Sequence, residues 1–286
     1  MKDHKHESSS ELEEQLKFFE NLEIPYNRDK KAVWDEMTKK IEAIPPRKIV
    51  PLIWTRIAVA AVLIMTFSVA FMRFYTTTIT CERGRHLAYT LPDNSTVQLN
   101  AASTISFAPY WWSFQRQVSL EGEAFFEVEK GSSFIVASEL GYTEVLGTSF
   151  NIYARDTAYV VFCKTGKVGV HTTKDDQSLI LTPSELGLLQ KDVLKKQTAI
   201  DATISIGWLN NKFLFDNVNL VRVLEELERQ YDAKINYEGV VSPDLMYGGF
   251  FDKTENIDTA LEMIGANFGF SFIKVQENLY NVEINS

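Results

Sequence analysis

Residues that build metal and nucleophile sites are scarce in this sequence. Only two cysteines, Cys81 and Cys163, and four histidines, His4, His6, His86 and His171, occur in 286 residues. No CxxC pair or His-flanked cysteine spacing is present, so a zinc site is not expected. No GxSxG, P-loop or HExxH run occurs either, and nothing points to a catalytic residue, a metal or a cofactor. The expectation is that the chain is not an enzyme. Two cysteines are too few for a disulfide scaffold. A Cys81–Cys163 bridge stays open if that part of the chain faces an oxidising compartment and the two Cα atoms come within roughly 7 Å.

Positive charge is in the minority as well. A formal net charge of -9 and a pI near 5.1 argue against the concentrated basic face that nucleic acid requires, so no direct nucleic-acid partner is expected. Hydrophobic residues, at 45%, suffice for one or two sizeable cores.

One long stretch has no charge at all. Ile57 to Met72 (IAVAAVLIMTFSVAFM) is apolar on every side and closed by Arg56 and Arg73. Leu52, Ile53, Trp54, Phe74 and Tyr75 extend it outward to the roughly 20 residues that a hydrocarbon core of about 30 Å demands. The arginines can snorkel to the headgroups while Trp54 and Tyr75 lie in the interfacial belts. A buried core helix would be striped instead. The run begins too far along the chain for a cleaved signal peptide, so it reads as a signal anchor spanning 52–75. Arg47, Lys48 and Arg56 before it nearly balance Arg73, Arg83 and Arg85 after it. The short N-terminal arm, with Pro45-Pro46-Arg47-Lys48, favours N-terminus cytoplasmic and C-terminus outside, because a long C-terminal region translocates largely regardless of charge.

The arm, residues 1–48, reads as two helices. Ser10 and Glu13 form a capping-box pattern for the first, with Leu12, Leu16 and Phe19 as its stripe, and the run 21–27 with Pro25 breaks it. The second runs from about Arg28 to Ala43 with Val33, Trp34, Met37 and Ile41 at helical spacing, stopped by Pro45. So short an arm cannot bury enough surface to be stable alone, and Phe18, Phe19 and Trp34 look like anchors for a partner's groove. A solvated stalk is the plainer alternative.

Beyond the membrane the period changes to two. Thr96–Asn100, Gln117–Leu120 and Glu123–Glu129 alternate as strands, with turn signals at Pro92-Asp93-Asn94, Glu121-Gly122, Lys130-Gly131, Thr165-Gly166 and Thr182-Pro183. An all-β domain over 80–195 follows, as a sandwich, jelly roll or short solenoid. Period two places Glu123, Glu127 and Glu129 on one face, which reads as a solvated polar face instead of a carboxylate pair for catalysis. After a polar connector, 192–203, the order β-α-β-β-α-β-β over 204–286 predicts a small α+β domain. In it Asn217 or Asn219 caps a helix bearing Leu220, Leu224, Leu227 and Tyr231, Gly248-Gly249 permits a bend, and Gly265 helps end the second helix. Such a module either stabilises the chain or offers sheet edges for docking.

Four runs in order, LPDNSTVQLNAAS (Leu91–Ser103), RQVSLEGEAFFEV (Arg116–Val128), VLGTSFNIYA (Val145–Ala154) and GKVGV (Gly166–Val170), resemble the FecR family of transmembrane anti-sigma factors. The C-terminal domain is similar to the module that Bacteroidetes members carry, itself similar to the short N-terminal domain of secretins and TonB-dependent receptors. PYNRDKKAVWDEM (Pro25–Met37) resembles their pre-membrane segment. The resemblance implies a multi-domain membrane protein of the inner membrane, with a helical arm, one transmembrane helix, an all-β FecR domain and a C-terminal α+β domain in the periplasm. It implies two partners: an extracytoplasmic-function (ECF) sigma factor held by the cytoplasmic arm, and the N-terminal signalling domain of a TonB-dependent outer-membrane transporter. It also implies proteolytic release of the arm. Phe18, Phe19, Val33, Trp34 and Met37 are the expected sigma contacts, and Gly122, Gly147 and Asn151 match positions that look structural, glycine for turns and asparagine for backbone capping. Two other readings stand beside it. A membrane-tethered glycan or cell-wall binder would need exposed aromatics, for which Tyr110-Trp111-Trp112 is the candidate, although in the family this stretch looks like a connector with buried aromatics. A tethered hydrolase would need converging acid and base groups.

Overall fold

The computed structural model describes residues 7–21, 29–42, 52–199, 201–253 and 256–285. In the arm, α1 covers Glu7–Glu20 and α2 covers Lys30–Glu42. The first helix therefore starts before Ser10, which lies inside it and is not its cap. Nothing in the Ser8-Ser9-Ser10 run forbids helical backbone. Asp29 precedes the second helix and its carboxylate accepts from Lys31 N at 3.3 Å, an N-terminal cap. The Pro25 break, the Pro45 stop and the Pro45-Pro46-Arg47-Lys48 run lie outside the described residues.

Helix α3, Leu52–Phe74, is continuous, and its Ile53–Phe74 segment is long and apolar enough to cross a membrane. At 1.5 Å per residue its length is about 34 Å, enough for the hydrocarbon layer with slight tilt.

Strands follow almost at once: β1 Thr77–Cys81, β2 Leu87–Thr90, β3 Thr96–Leu99, β4 Ser103–Phe107, β5 Arg116–Glu127, β6 Phe134–Ala137, β7 Gly141–Val145, β8 Ser149–Arg155, β9 Ala158–Thr165, β10 Val168–Thr172, β11 Ser178–Leu181, β12 Glu185–Gln190 and β13 Val193–Thr198. They reach three residues beyond the expected 80–195 at each end. The stretch expected as a polar connector contains β13, paired with β12 through the register Gln190↔Val193. Lys191 and Asp192 both take positive φ there, 49° and 62°, which makes the tight hairpin turn. The strand looked polar because it is an edge whose residues are mostly exposed.

The 13 strands form one hydrogen-bonded system in two layers that share β5. The first half of β5 pairs with β4 and, in parallel, with β6, while its second half pairs with β3 and β8. Gly122 stands where it changes layers. Its φ is 106°, and a Cβ there would lie 2.5 Å from Ser103 Oγ, so Glu121-Gly122 is a crossing inside a strand and not a turn. Between the layers, Val97, Leu99, Ile105, Phe126, Phe134, Phe150, Ile152, Tyr159 and Val161 form a closed core. Cys81 and Cys163 are free and buried in it.

The C-terminal part holds α4 Thr203–Ile206, β14 Lys212–Asn219, α5 Leu220–Tyr231, β15 Lys234–Asn236, β16 Met246–Asp252, α6 Ile257–Phe268, β17 Phe270–Gln276 and β18 Leu279–Ile284. From β14 onward this is the expected β-α-β-β-α-β-β order. Asn219 caps α5, accepting from Val221 N at 3.0 Å. Helix α6 does not end at Gly265. It continues to Gly269, whose φ of 70° forms the left-handed cap, while a Cβ on Gly265 would meet Phe270 O at 2.4 Å. A second core gathers Leu220, Leu224, Leu227, Ile235, Phe251, Leu261, Ile264 and Tyr280, and it includes Phe125 of β5.

Candidate functional site

Alternation along β5 sends successive side chains to opposite faces. Phe126 enters the core between the β layers, and Phe125 points the other way into the core of the C-terminal module. Glu123 shares the outward side with Phe125 and would meet water if that face were bare. It is not bare: Glu123 is 7% exposed. The expectation of a solvated face is thus corrected at Glu123, because a module encoded some hundred residues downstream covers it. Glu127 and Glu129 do remain exposed.

Around Glu123 a polar network joins the two parts. Asn100 Nδ2 donates to its Oε2 and Asn151 Nδ2 to its Oε1, each at 2.8 Å. Asn151 Oδ1 accepts from Trp208 Nε1 at 3.3 Å, so Asn151 links two side chains and does not cap backbone. From α5, Gln230 Nε2 donates to Asn100 Oδ1 and to Glu226 Oε1, both at 2.7 Å. That leaves Gln230 Oε1 as acceptor for His86 Nε2–H at 3.1 Å. Arg229 Nε donates to Glu226 Oε2 at 3.0 Å. Outside the network, Gly84 N donates to Arg229 O at 2.8 Å and Lys253 Nζ to Gly84 O at 2.9 Å, while the Arg222 guanidinium lies 5.6 Å from the centre of the Tyr153 ring. Trp208 sits edge-on to His86.

Electrostatics at this seam is set mainly by burial. Loss of water pushes the Glu123 carboxyl up to about 7, helped by the neighbouring Glu226 and opposed by Arg155, Asn151 and Asn100. The same cause lowers His86 and raises Tyr153. A cavity of about 600 Å³ opens beside the network, lined among others by Glu123, Asn151, Tyr153, Trp208, Arg222 and Glu226. Among the described residues no group of three or more His, Cys, Asp or Glu is placed to hold a metal. The arrangement joins two parts of the chain.

The arm residues are placed differently. Phe18 and Phe19 on α1 meet edge-on with ring centroids 5.9 Å apart and are exposed. On α2, Trp34 and Met37 are exposed and Val33 is half-buried. The Tyr110-Trp111-Trp112 run also divides: Trp112 is buried, whereas Tyr110 is exposed and Trp111 half-exposed, so its aromatics are not all interior.

Comparison with known proteins adds family. Residues 77–169 match the model of the FecR protein family, and residues 212–282 match that of the FecR C-terminal domain. Two crystal structures of a candidate anti-sigma factor from Parabacteroides distasonis ATCC 8503 are similar. The one at 1.65 Å resolution is 30% identical with a TM-score of 0.67, covering 73% of this chain and 100% of its own. The one at 2.50 Å is 29% identical with a TM-score of 0.68, covering 74% and 100%. No curated protein matches the sequence.

Proposed function

The chain belongs to the FecR family, and from that premise we propose that it is a single-pass transmembrane anti-sigma factor of the inner membrane. In this reading residues 1–48 lie in the cytoplasm and hold an ECF sigma factor. Helix α3 crosses the bilayer, and the FecR-like β domain (80–195) and C-terminal module (204–286) lie in the periplasm. There they receive a signal from the N-terminal signalling domain of a TonB-dependent outer-membrane transporter. Phe18, Phe19, Val33, Trp34 and Met37 are the sigma contacts.

The observation that carries this reading is the state of the arm. It has two short helices with large apolar side chains left in water, Trp34 69% exposed among them, on a member of a family with anti-sigma-factor neighbours. Helices of this length gain little from propensity alone, and exposed apolar side chains at i+3 and i+4 spacing, Leu12, Leu16 and Phe19 on one helix and Trp34, Met37 and Ile41 on the other, suit the groove of a helical partner. A cytoplasmic regulator needs neither cofactor nor metal for this.

Capture of sigma factors by the full-length chain in detergent tests the reading. An ECF sigma factor should bind, and Trp34→Ala should weaken it by about 30-fold, as expected of a buried aromatic hot spot worth roughly 2 kcal/mol. Trp34 is exposed, so the melting temperature of the variant should not move. A chain that captures no sigma factor, or a Trp34→Ala chain that captures it equally well, would overturn the assignment.

A further inference from the structure

The function proposed above leaves one feature of the β domain unused, the aromatic loop between β4 and β5. Residues 107–115 (FAPYWWSFQ) contain five aromatic side chains and no charge. Trp112 is pinned inward, edge-on to both Phe107 and Phe134 with ring centroids 5.5 and 5.8 Å away. A 3-10 turn, Pro109–Trp111, and the bonds from Phe114 N and Gln115 N to Trp111 O hold the rest. The loop is therefore set with Tyr110 53% and Phe114 73% exposed, an arrangement that water alone does not favour.

Its position follows from register. Strand β1 begins at Thr77, with only Tyr75 and Thr76 between it and the end of α3, and Thr77 pairs with Phe107. The antiparallel pairing runs β4 back toward the helix, so residues 108–115 emerge level with its last turn. The contacts agree. The Tyr110 ring lies 5.4 Å from that of Tyr75 and 6.1 Å from that of Phe71, and the Arg73 guanidinium lies 6.0 Å from the Trp111 ring. Trp111 in turn packs on Phe114 at 4.7 Å.

We propose that this loop docks on the lipid bilayer that α3 crosses, with Tyr110, Trp111 and Phe114 seated in the headgroup layer beside Arg73 and Tyr75. The Tyr110 and Trp111 rings, with their polar edges, favour that layer, Phe114 adds apolar area beside them, and arginine reaches it by snorkelling. The occupant is lipid because the patch is continuous with the helix that enters it and no linker lifts the β domain away. Docking holds the domain at a fixed tilt to the membrane, so a force on the outer part reaches α3 without slack. This inference rests on α3 being a membrane span.

The test uses the full-length chain in lipid nanodiscs with an environment-sensitive fluorophore on Phe114→Cys, Val69→Cys or Ile180→Cys. Buried Cys81 and Cys163 should not label in the folded protein, which the unsubstituted chain checks. Lipids spin-labelled near the headgroup should quench the Phe114 label at least twofold more than the Ile180 label on exposed β11, and deep-labelled lipids should quench the Val69 label. Equal quenching at 114 and 180 with Val69 quenched overturns the docking alone and leaves the aromatics free for another ligand, such as a glycan. An unquenched Val69 label overturns the span and the docking with it.

Discussion

Glu123 carries much of what distinguishes this molecule at the scale of single residues. Both of its oxygens accept from asparagine amides, yet burial and Glu226 hold its proton on until about pH 7. A carboxyl raised in the folded state binds more protons there than in the unfolded chain, so stability from this group is full below the unfolded pKa and is lost as pH rises through about 7. Chemical denaturation between pH 5 and pH 8 should show wild-type stability falling across that window, with a flatter profile for Glu123→Gln. The glutamine NH2 must then face one of the asparagine donors, which should cost about 1–3 kcal/mol at pH 5. A parallel slope in the variant would remove Glu123 as the cause. Gly122 beside it supplies a second expectation. With φ at 106° and Ser103 Oγ 2.5 Å from any Cβ, Gly122→Ala should lower stability by at least about 2 kcal/mol in thermal unfolding. The alternation that placed Glu123 on an outer face was legible in the sequence. What covers that face was not, since Gln230, Glu226 and Trp208 are brought to it only by the tertiary fold. Asn151 was legible as a position in a local motif, whereas its partners Glu123 and Trp208 stand 28 and 57 residues away in the chain.

At the scale of elements, the sequence exposed most of what local chemistry decides. The apolar run of α3, the Asn219 cap and the i, i+4, i+7 stripe of α5, and the β-α-β-β-α-β-β order all follow from periodicity and capping, and the structure has them. The misses fall where geometry outweighs local preference. Glu121-Gly122 carries a turn signal, but twelve residues of β5 run through it because one strand must serve two layers. Strand β13 is too polar to stand out and exists through its pairing with β12. Gly265 sits within α6 because Phe270 leaves no room for a side chain. The short 3-10 turn Gly207–Asn210 has no sequence signal beyond Trp208, which is 4% exposed and bonds Asn151 across the seam. Trp208→Ala removes a large buried ring and leaves Asn151 Oδ1 without its donor, so it should cost about 3–5 kcal/mol. Hydrogen exchange should localise the loss to α4, the turn and the start of β14, with the amides of β6 and β7 unchanged. Uniform loss of protection would instead mean that Trp208 supports the whole β system.

On the scale of the whole of residues 77–285, two cores meet along one polar seam, and that combination decides how it should come apart. Phe125, Trp208 and His86 contribute apolar contact, the Trp208–Asn151, Gly84–Arg229 and Lys253–Gly84 bonds also cross it, and Gln230 ties His86, Asn100 and Glu226 together at its centre. Apart from Phe125, which β5 lends to the second core, each core is built from side chains of its own part. A lesion confined to the seam should therefore separate the cores before it unfolds either. Gln230→Glu supplies such a lesion with almost no change in volume. Its carboxylate would replace the donor that faces Asn100 Oδ1 and Glu226 Oε1 and would add a third acid beside Glu123 and Glu226, an uncompensated buried charge that costs about 3–5 kcal/mol. Calorimetry at pH 8 should then resolve two unfolding transitions where the parent shows one. The Gly84 amide that bonds Arg229 O should exchange faster. Acidification should restore the single transition, because a protonated glutamic acid can donate one of the lost bonds and no longer repels its neighbours. Gln230→Ala provides the comparison without charge: it should weaken the seam at all pH values and show no acid rescue. If Gln230→Glu melts in one transition at every pH with the parent's midpoint, the seam does not govern how the module is held, and the shared apolar contact around Phe125 must do so instead.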